Sequence, residues 1–237
     1  MKPTAGGKLR LNKFLADRGV ASRRAADELI RHGHVTVNGR RPALGESIDP
    51  AADIVSVNGK RVRKEAFAEH VTLVLNKPAG IITTMDDEHG RPTVAKLLPS
   101  SRRLFPIGRL DAETTGVLLC TTDGGLARVL AHPSSGIVKR YVVTARGSMP
   151  SSTIAALNAR DYLRSPDGSH RFTIELSEGR NRQIRRLCAQ AGLRILSLTR
   201  TAFGPVRLGG LKIGCTRELE PHEARELNRL RDEHSRR

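Results

Sequence analysis

The 237-residue chain contains no tryptophan, two tyrosines and five phenylalanines. A surface that grips many single-stranded bases by stacking needs more rings than this, which excludes a long aromatic platform. The three cysteines, Cys120, Cys188 and Cys215, lie far apart in apolar surroundings. That excludes a disulfide framework and a zinc site and leaves three buried, inert thiols as the expectation. No apolar run approaches the roughly 18 residues of a membrane-spanning helix. Residues 1–8 are polar and glycine-containing and lack the apolar segment of a secretory signal, so the cytoplasm is the expected location. The histidines, His89 and His132 among them, form no spaced set, and no phosphate-cradling loop occurs. No metal and no cofactor is expected.

Acidic side chains are also in the minority, 24 Asp and Glu against 41 Lys and Arg, for a net charge of +17. A chain this basic calls for a polyanionic partner, and nucleic acid is the first candidate. The excess is spread out: residues 1–66 carry 14 basic and 7 acidic side chains, and the remainder 27 and 17. Hydrophobic residues make up 38 %, enough for a core, and the length suits a small domain followed by a larger one.

Residues 10–18 place Leu11, Phe14 and Leu15 on one helical face, with Gly19 to end the turn. Ser22 is a good N-cap for a second helix that turns Ala25, Ala26, Leu29 and Ile30 inward and stops at Gly33. Short strands follow at 34–37 and 54–57, each succeeded by an Asn-Gly pair, the strongest short hairpin signal. Arg23 and Arg24 stand at the start of the second helix, where the helix dipole disfavours cations. Their position hints at a phosphate partner.

The larger part opens with a strand at 71–75, a turn at Asn76-Lys77-Pro78-Ala79-Gly80 and renewed strand material at 81–84. Residues 86–92 read as a mobile polar loop. Gly108-Arg109-Leu110-Asp111 then sets a carboxylate beside a permanent cation just ahead of the apolar strand 117–121. A carboxylate aimed by a rigid scaffold and kept ionised by neighbours is a candidate nucleophile or base. Asp123 reads as a turn residue, and Leu126, Val129 and Leu130 mark a short helix. Strands follow at 141–144 and 171–176. Glu178-Gly179-Arg180-Asn181-Arg182-Gln183-Ile184-Arg185-Arg186 leads into a helix whose apolar face is Ile184, Leu187, Cys188 and Ala191. Arg185 flanks that face and can reach a cleft, whereas Arg182 and Arg186 point outward and suit phosphate contact.

Two resemblances follow from these residues. LNKFLADRGVASRR…ADELIRHGHVTVNG, within residues 10–66, resembles the small RNA-binding domain named after ribosomal small-subunit protein four. That resemblance implies Lys13, Arg23, Arg24 and Asn38 as RNA contacts. NKPAG, GRLDAETTGVLLCTTDG, KRYVV, EGRNRQIRRL and LxRxxFGPVRLGG, in this order, resemble ribosomal pseudouridine synthases: the A type of the small subunit, and the B, E and F types of the large subunit. The segment between Gly147 and Arg171 is short for that family, which bears on RNA contacts there.

The resemblance implies isomerisation of a uridine to pseudouridine in ribosomal RNA, more specifically large-subunit 23S RNA, with no cofactor or metal. Asp111 becomes the required carboxylate, attacking the sugar or base or removing the 2′ proton. Arg185 becomes its ion-pair partner, since a close cation favours the ionised carboxylate. Tyr141 stacks on the uracil, and Leu198 walls the pocket. Arg109, alternating away from Asp111, turns to the RNA; Lys77, Arg182 and Arg186 complete the substrate contacts. The target base must be flipped out or lie in a loop. Two other readings are a ribosome-assembly factor that binds RNA without catalysis and a synthase acting on tRNA or messenger RNA.

The expected fold is α+β: a flexible basic tail at 1–9, an α+β RNA-binding domain at 10–66 and a linker at 67–70. A mixed, largely antiparallel-sheet catalytic domain with flanking helices then occupies 71–228, before a charged, frayed tail at 229–237. A monomer is expected.

Overall fold

The computed structural model describes residues 7–63, 70–101 and 103–235. Most of the expected tail and linker lies outside them. The chain divides into two compact units with the boundary at His70/Val71.

The first unit consists of β1 (Leu9–Arg10), α1 (Leu11–Asp17), α2 (Arg23–Arg31), β2 (Val35–Val37), β3 (Ser47–Ile48), β4 (Val55–Val57) and β5 (Lys60–Arg61). Ser22 caps α2 by accepting from the Ala25 N–H at 2.9 Å. Leu11, Phe14 and Leu15 of α1 meet Ala26 and Ile30 of α2 and Val35, Val37, Ile48 and Val55 of the strands in one core. The sheet order is β2-β4-β5, all antiparallel. Asn38 and Asn58 each adopt positive φ ahead of a positive-φ glycine, the geometry of the tight hairpin turn that Asn-Gly favours. The second pair joins β4 to β5. The first closes only a single bridge between Val37 and Arg40, because β2 takes β4 as its partner instead. Leu9, assigned above to a flexible tail, pairs with Ile48.

The second unit is built on β6 (Thr72–Lys77), β7 (Phe105–Pro106), β8 (Thr115–Thr121), α3 (Gly124–Ala131), β9 (Lys139–Arg146), α4 (Ser151–Ala156) and β10 (Arg160–Arg164). It continues through β11 (His170–Leu176), α5 (Gln183–Gln190), β12 (Arg194–Phe203), β13 (Val206–Arg207), β14 (Thr216–Glu218) and α6 (Pro221–Ser235). The sheet runs β10-β11-β9-β12-β8-β6-β14, with β13 on β12 and β7 on β8. Every pairing is antiparallel except β12 with β8.

That parallel seam joins two halves with different cores. On one side Val117 and Leu119 of β8 pack with Val74, Leu126, Leu130, Phe203 and Leu227, while Leu118 and Cys120 face Leu73, Leu75, Leu104 and Leu110. On the other side Val143, Phe172, Ile174 and Leu198 receive Ile184 and Cys188 of α5. β8 is buried on both faces, which explains its unbroken apolar sequence. Gly116 makes the seam possible. It lies opposite Arg200 with φ +102°, and a Cβ there would fall 2.2 Å from the Arg200 carbonyl oxygen.

Four expectations change. β6 runs through Asn76 and Lys77, where a turn was expected, because both side chains find internal acceptors. Residues 81–84 form no strand; Ile82 makes only an isolated bridge to Thr93. Cys215 is exposed, whereas Cys120 and Cys188 are buried, with thiols that burial pushes up to about 12 and about 11. Finally, residues 229–235 continue α6 rather than fray. Leu230 packs on the core beside Leu227, and Arg231 pairs with Asp123 at 3.2 Å. Asp123 is thereby more than a turn residue: its carboxylate also caps α3 through the Gly125 and Leu126 N–H groups.

Gly116→Ala is expected to destabilise the second unit by about 3 kcal/mol or more, on the order of 10 °C in Tm, from the backbone clash and the positive φ together. Calorimetry of the variant checks this; a shift under about 3 °C would show that the seam yields.

Candidate active site

Asp111 ends the segment that leaves β7 and enters β8, and its backbone is held from several directions. The Thr83 hydroxyl donates to the Leu110 carbonyl at 2.8 Å and accepts from the Leu110 N–H at 3.2 Å. Gly80 N–H donates to the Ala112 carbonyl, and Thr114 N–H to the Asp111 carbonyl. Lys77 lies beneath. Its ammonium donates to the carbonyls of Pro78 (2.8 Å), Ala112 (3.1 Å) and Thr114 (3.1 Å).

Lys77 is fully buried. It therefore does not contact RNA, correcting its assignment as a substrate contact. An ammonium has three donors, and here the backbone of the turn before and after Asp111 takes all of them. Burial pushes its pKa down from 10.5 to about 8, so it stays mostly protonated at neutral pH.

The Asp111 carboxylate faces a cleft of ≈ 190 Å³. Arg185 Nε lies 3.6 Å from its Oδ2, and Arg182 Nη1 lies 3.8 Å from the same oxygen. Arg185 also donates to the hydroxyl of buried Thr114 at 3.2 Å. It reaches this position because Ile184 and Cys188 dock α5 on the sheet, leaving Arg185 on the flank. Arg182, expected to point outward, instead bridges Asp111 and Glu113, the latter at 3.5 Å. It precedes α5 in the left-handed region, φ +46°, a strained conformation for a non-glycine residue. The Glu113 carboxyl is held below its ordinary range by its own backbone N–H and then by Arg185 and Arg182. Arg186 is exposed.

Tyr141 of β9 and Leu198 of β12 line the same cleft, and Arg109 stands exposed at its edge. Asp111, Tyr141, Arg185, Arg182, Leu198 and Arg109, scattered through the sequence, are thus brought together; Lys77 is not among the lining residues. Three lining cations were missed by sequence reasoning, Lys139, Arg180 and Arg200. Two of them, Lys139 and Arg200, had a legible signal. Strand side chains repeat with period two, so Lys139 shares a face with Tyr141 and Arg200 with Leu198.

In the first unit, Arg23 and Arg24 are exposed at the start of α2. Lys13 pairs with Asp17 at 2.8 Å, an exposed pair of small energetic weight. Asn38, exposed at its turn, donates from its amide to Asp53 at 2.8 Å and accepts from the Ile54 N–H at 2.9 Å.

Lys77→Met should destabilise the second unit by about 3 kcal/mol or more, because the carbonyls of Pro78, Ala112 and buried Thr114 lose the charged donor that ties them together. The pH dependence has a definite sign. A folded-state pKa below the unfolded value means that the charge-burial cost is fully present below pH 8 and is relieved as pH rises toward 10.5. Denaturant titrations of both proteins should therefore show the advantage of wild type growing across that window; a constant difference would contradict it.

Comparisons with known proteins agree with this geometry. Residues 71–190 match the RNA pseudouridylate synthase family model, and residues 9–41 match the S4 domain. A protein named ribosomal large subunit pseudouridine synthase B from Bacillus subtilis is 38 % identical, over 94 % of this chain and 97 % of its own. The dual-specificity RNA pseudouridine synthase RluF of Escherichia coli is 33 % identical, over 94 % of this chain and 79 % of its own. A crystal structure titled pseudouridylate synthase superposes with a TM-score of 0.59 at 27 % identity, covering 94 % of this chain and 99 % of that one. With a carboxylate clasped between two arginines at the mouth of β8 and whole-length relatives of this kind, the chain belongs to the RNA pseudouridylate synthase family.

Proposed function

We propose that this enzyme converts a specific uridine of large-subunit ribosomal RNA to pseudouridine, with Asp111 as the reacting carboxylate. The observation that carries the reading is the placement of the Asp111 carboxylate within 3.6–3.8 Å of two guanidinium groups, facing a small cleft that Tyr141 and Leu198 line. The relatives named for the large ribosomal subunit supply the choice of RNA.

Asp111, clasped by Arg185 and Arg182, attacks the sugar or base or takes the 2′ proton. Tyr141 stacks on the detached uracil while Leu198 closes the opposite wall, and the base turns so that carbon 5 meets carbon 1′. The cleft has room for one pyrimidine ring, so the target nucleotide enters flipped out of its helix or from a loop. Arg109 at the edge occupies the gap that the base leaves. Arg186 meets phosphates near the target, and Arg23, Arg24 and Lys13 meet phosphates through the first unit. The net charge of +17 supports a backbone-following mode of binding.

Pseudouridine mapping of ribosomal RNA incubated with the protein is expected to give one modified uridine in the large-subunit RNA. Asp111→Asn is expected to abolish that product while leaving RNA affinity within about threefold. A variant retaining near wild-type turnover would remove Asp111 from the chemistry, and a product found only in tRNA would reassign the substrate.

Affinity should also fall steeply with salt through counterion release. Arg23→Gln with Arg24→Gln should lower the slope of log affinity against log salt by about one per lost phosphate contact. An unchanged slope would leave the first unit without these two contacts.

A further inference from the structure

Arg200 belongs to the cleft but to none of the roles assigned so far. It lies on β12, opposite Tyr141 on one side and Gly116 on the other. It is 3 % exposed, and burying a guanidinium this deeply is costly unless its donors are used. Part of the group is accounted for. Nε donates to the Val117 carbonyl at 2.7 Å, Nη1 reaches the Tyr141 hydroxyl at 3.5 Å, and the guanidinium lies 5.3 Å from the Phe203 ring centre. Nη2 is buried and has no hydrogen-bond partner among the described residues.

The cleft contains one other such nitrogen, Arg185 Nε, but that one faces the Asp111 carboxylate at 3.6 Å. Among the described residues no acidic side chain pairs with Arg200. Lys139, on the same wall, is a second cation, pushed below its ordinary pKa by burial and then by Arg200. The wall is therefore doubly cationic, with a buried, unpartnered donor and, among the described residues, no acidic side chain paired with Arg200. It fits a ligand that becomes negative inside the cleft.

We infer that Arg200 is a catalytic residue that binds the uracil anion formed during isomerisation, donating from Nη2 to a ring carbonyl oxygen. The inference rests on the reading that the cleft holds the target uridine. When the bond from carbon 1′ to nitrogen 1 breaks, its electron pair stays on the base. The resulting charge is shared by nitrogen 1 and the oxygens on carbons 2 and 4. An anion arises whether Asp111 attacks the sugar or removes the 2′ proton. The carbon 5 to carbon 1′ bond then forms, carbon 5 gives up its proton, and nitrogen 1 takes one, so the isomerisation balances without a co-reactant. A preorganised charged donor beside the leaving base stabilises the transition state more than the neutral uridine, because charge develops only as the bond breaks. Anchored on Val117, the guanidinium also retains the free base while it turns.

The test combines Arg200→Gln and Arg200→Lys with substrate RNA in which the target is uridine, 2-thiouridine or 4-thiouridine. Sulfur is the weaker acceptor, so it reports on the oxygen contacted. Arg200→Gln should lower kcat by about 10²–10³-fold, as loss of an oxyanion-type donor does, with RNA affinity and Tm close to wild type. Arg200→Lys should recover part of kcat. Wild type should be slowed by sulfur at one of the two positions, and Arg200→Gln should lose that sensitivity.

A merely structural arginine predicts the opposite pattern, in which the thio and mutational effects multiply. That result, or a kcat within about tenfold of wild type in Arg200→Gln, would overturn the inference. If Arg200→Gln does not fold, the thio series with Arg200→Lys decides on the same criterion. Wild type that makes no pseudouridine in any ribosomal RNA would sink the substrate reading and this inference together. An active wild type with an indifferent Arg200→Gln would sink this inference alone.

Discussion

The parallel contact between β8 and β12 is the constraint on which the rest of the second unit depends. It joins two antiparallel halves with different cores, bridged by Tyr141 and Phe203, and it rests on Gly116, where any Cβ would meet the Arg200 backbone. The Thr115 and Thr199 hydroxyls meet at 2.8 Å across the same line. Every residue in the cleft takes its place from this seam. Asp111 sits on the turn that feeds β8, Leu198 and Arg200 sit on β12, Tyr141 sits on the next strand, and Arg185 arrives on a helix docked to that half. A reacting group needs close placement, and the turn that carries Asp111 is held by hydrogen bonds from Thr83, Gly80 and Lys77.

Electrostatics divides the labour among the cations. Lys77 is structural: its three donors hold the turn around Asp111, and none remains for a ligand. Arg185 and Arg182 attend the carboxylate, with Glu113 taking part of the charge of Arg182. Arg200 and Lys139 line the cleft near one another, and among the described residues neither pairs with a carboxylate.

Much of this was legible in the residues. Ser22, the two Asn-Gly turns and the apolar spacing of 11–15 specified local structure with little tertiary help, because caps, positive-φ turns and helical periodicity are local physics. That Asp111, Tyr141 and Arg185 belong together was legible through the motifs around them, and the three line one cleft. Lys77 was misread because a lysine beside a proline and a glycine looks like an exposed turn; only the three carbonyls that converge on it reverse that. Cys215 was misread because apolar neighbours in sequence are a poor guide to burial when a turn intervenes. The end of the chain was misread because its charge density hid Leu227 and Leu230, which share one helical face and pack on the core together.

By itself the sequence determined the two-part organisation, the polyanionic partner, the motif that carries Asp111 and the family. Those properties follow from charge, short-range pattern and local motif. Tertiary structure alone decided which cation does what. Arg182 turned inward to Asp111, Lys77 sank beneath the turn that carries it, and Arg200 emerged in the cleft lining with an unpartnered donor. The physical reason is that a side chain's partner is set by what the sheet brings within hydrogen-bond reach, and across the β8–β12 seam those neighbours are more than eighty positions apart in the chain.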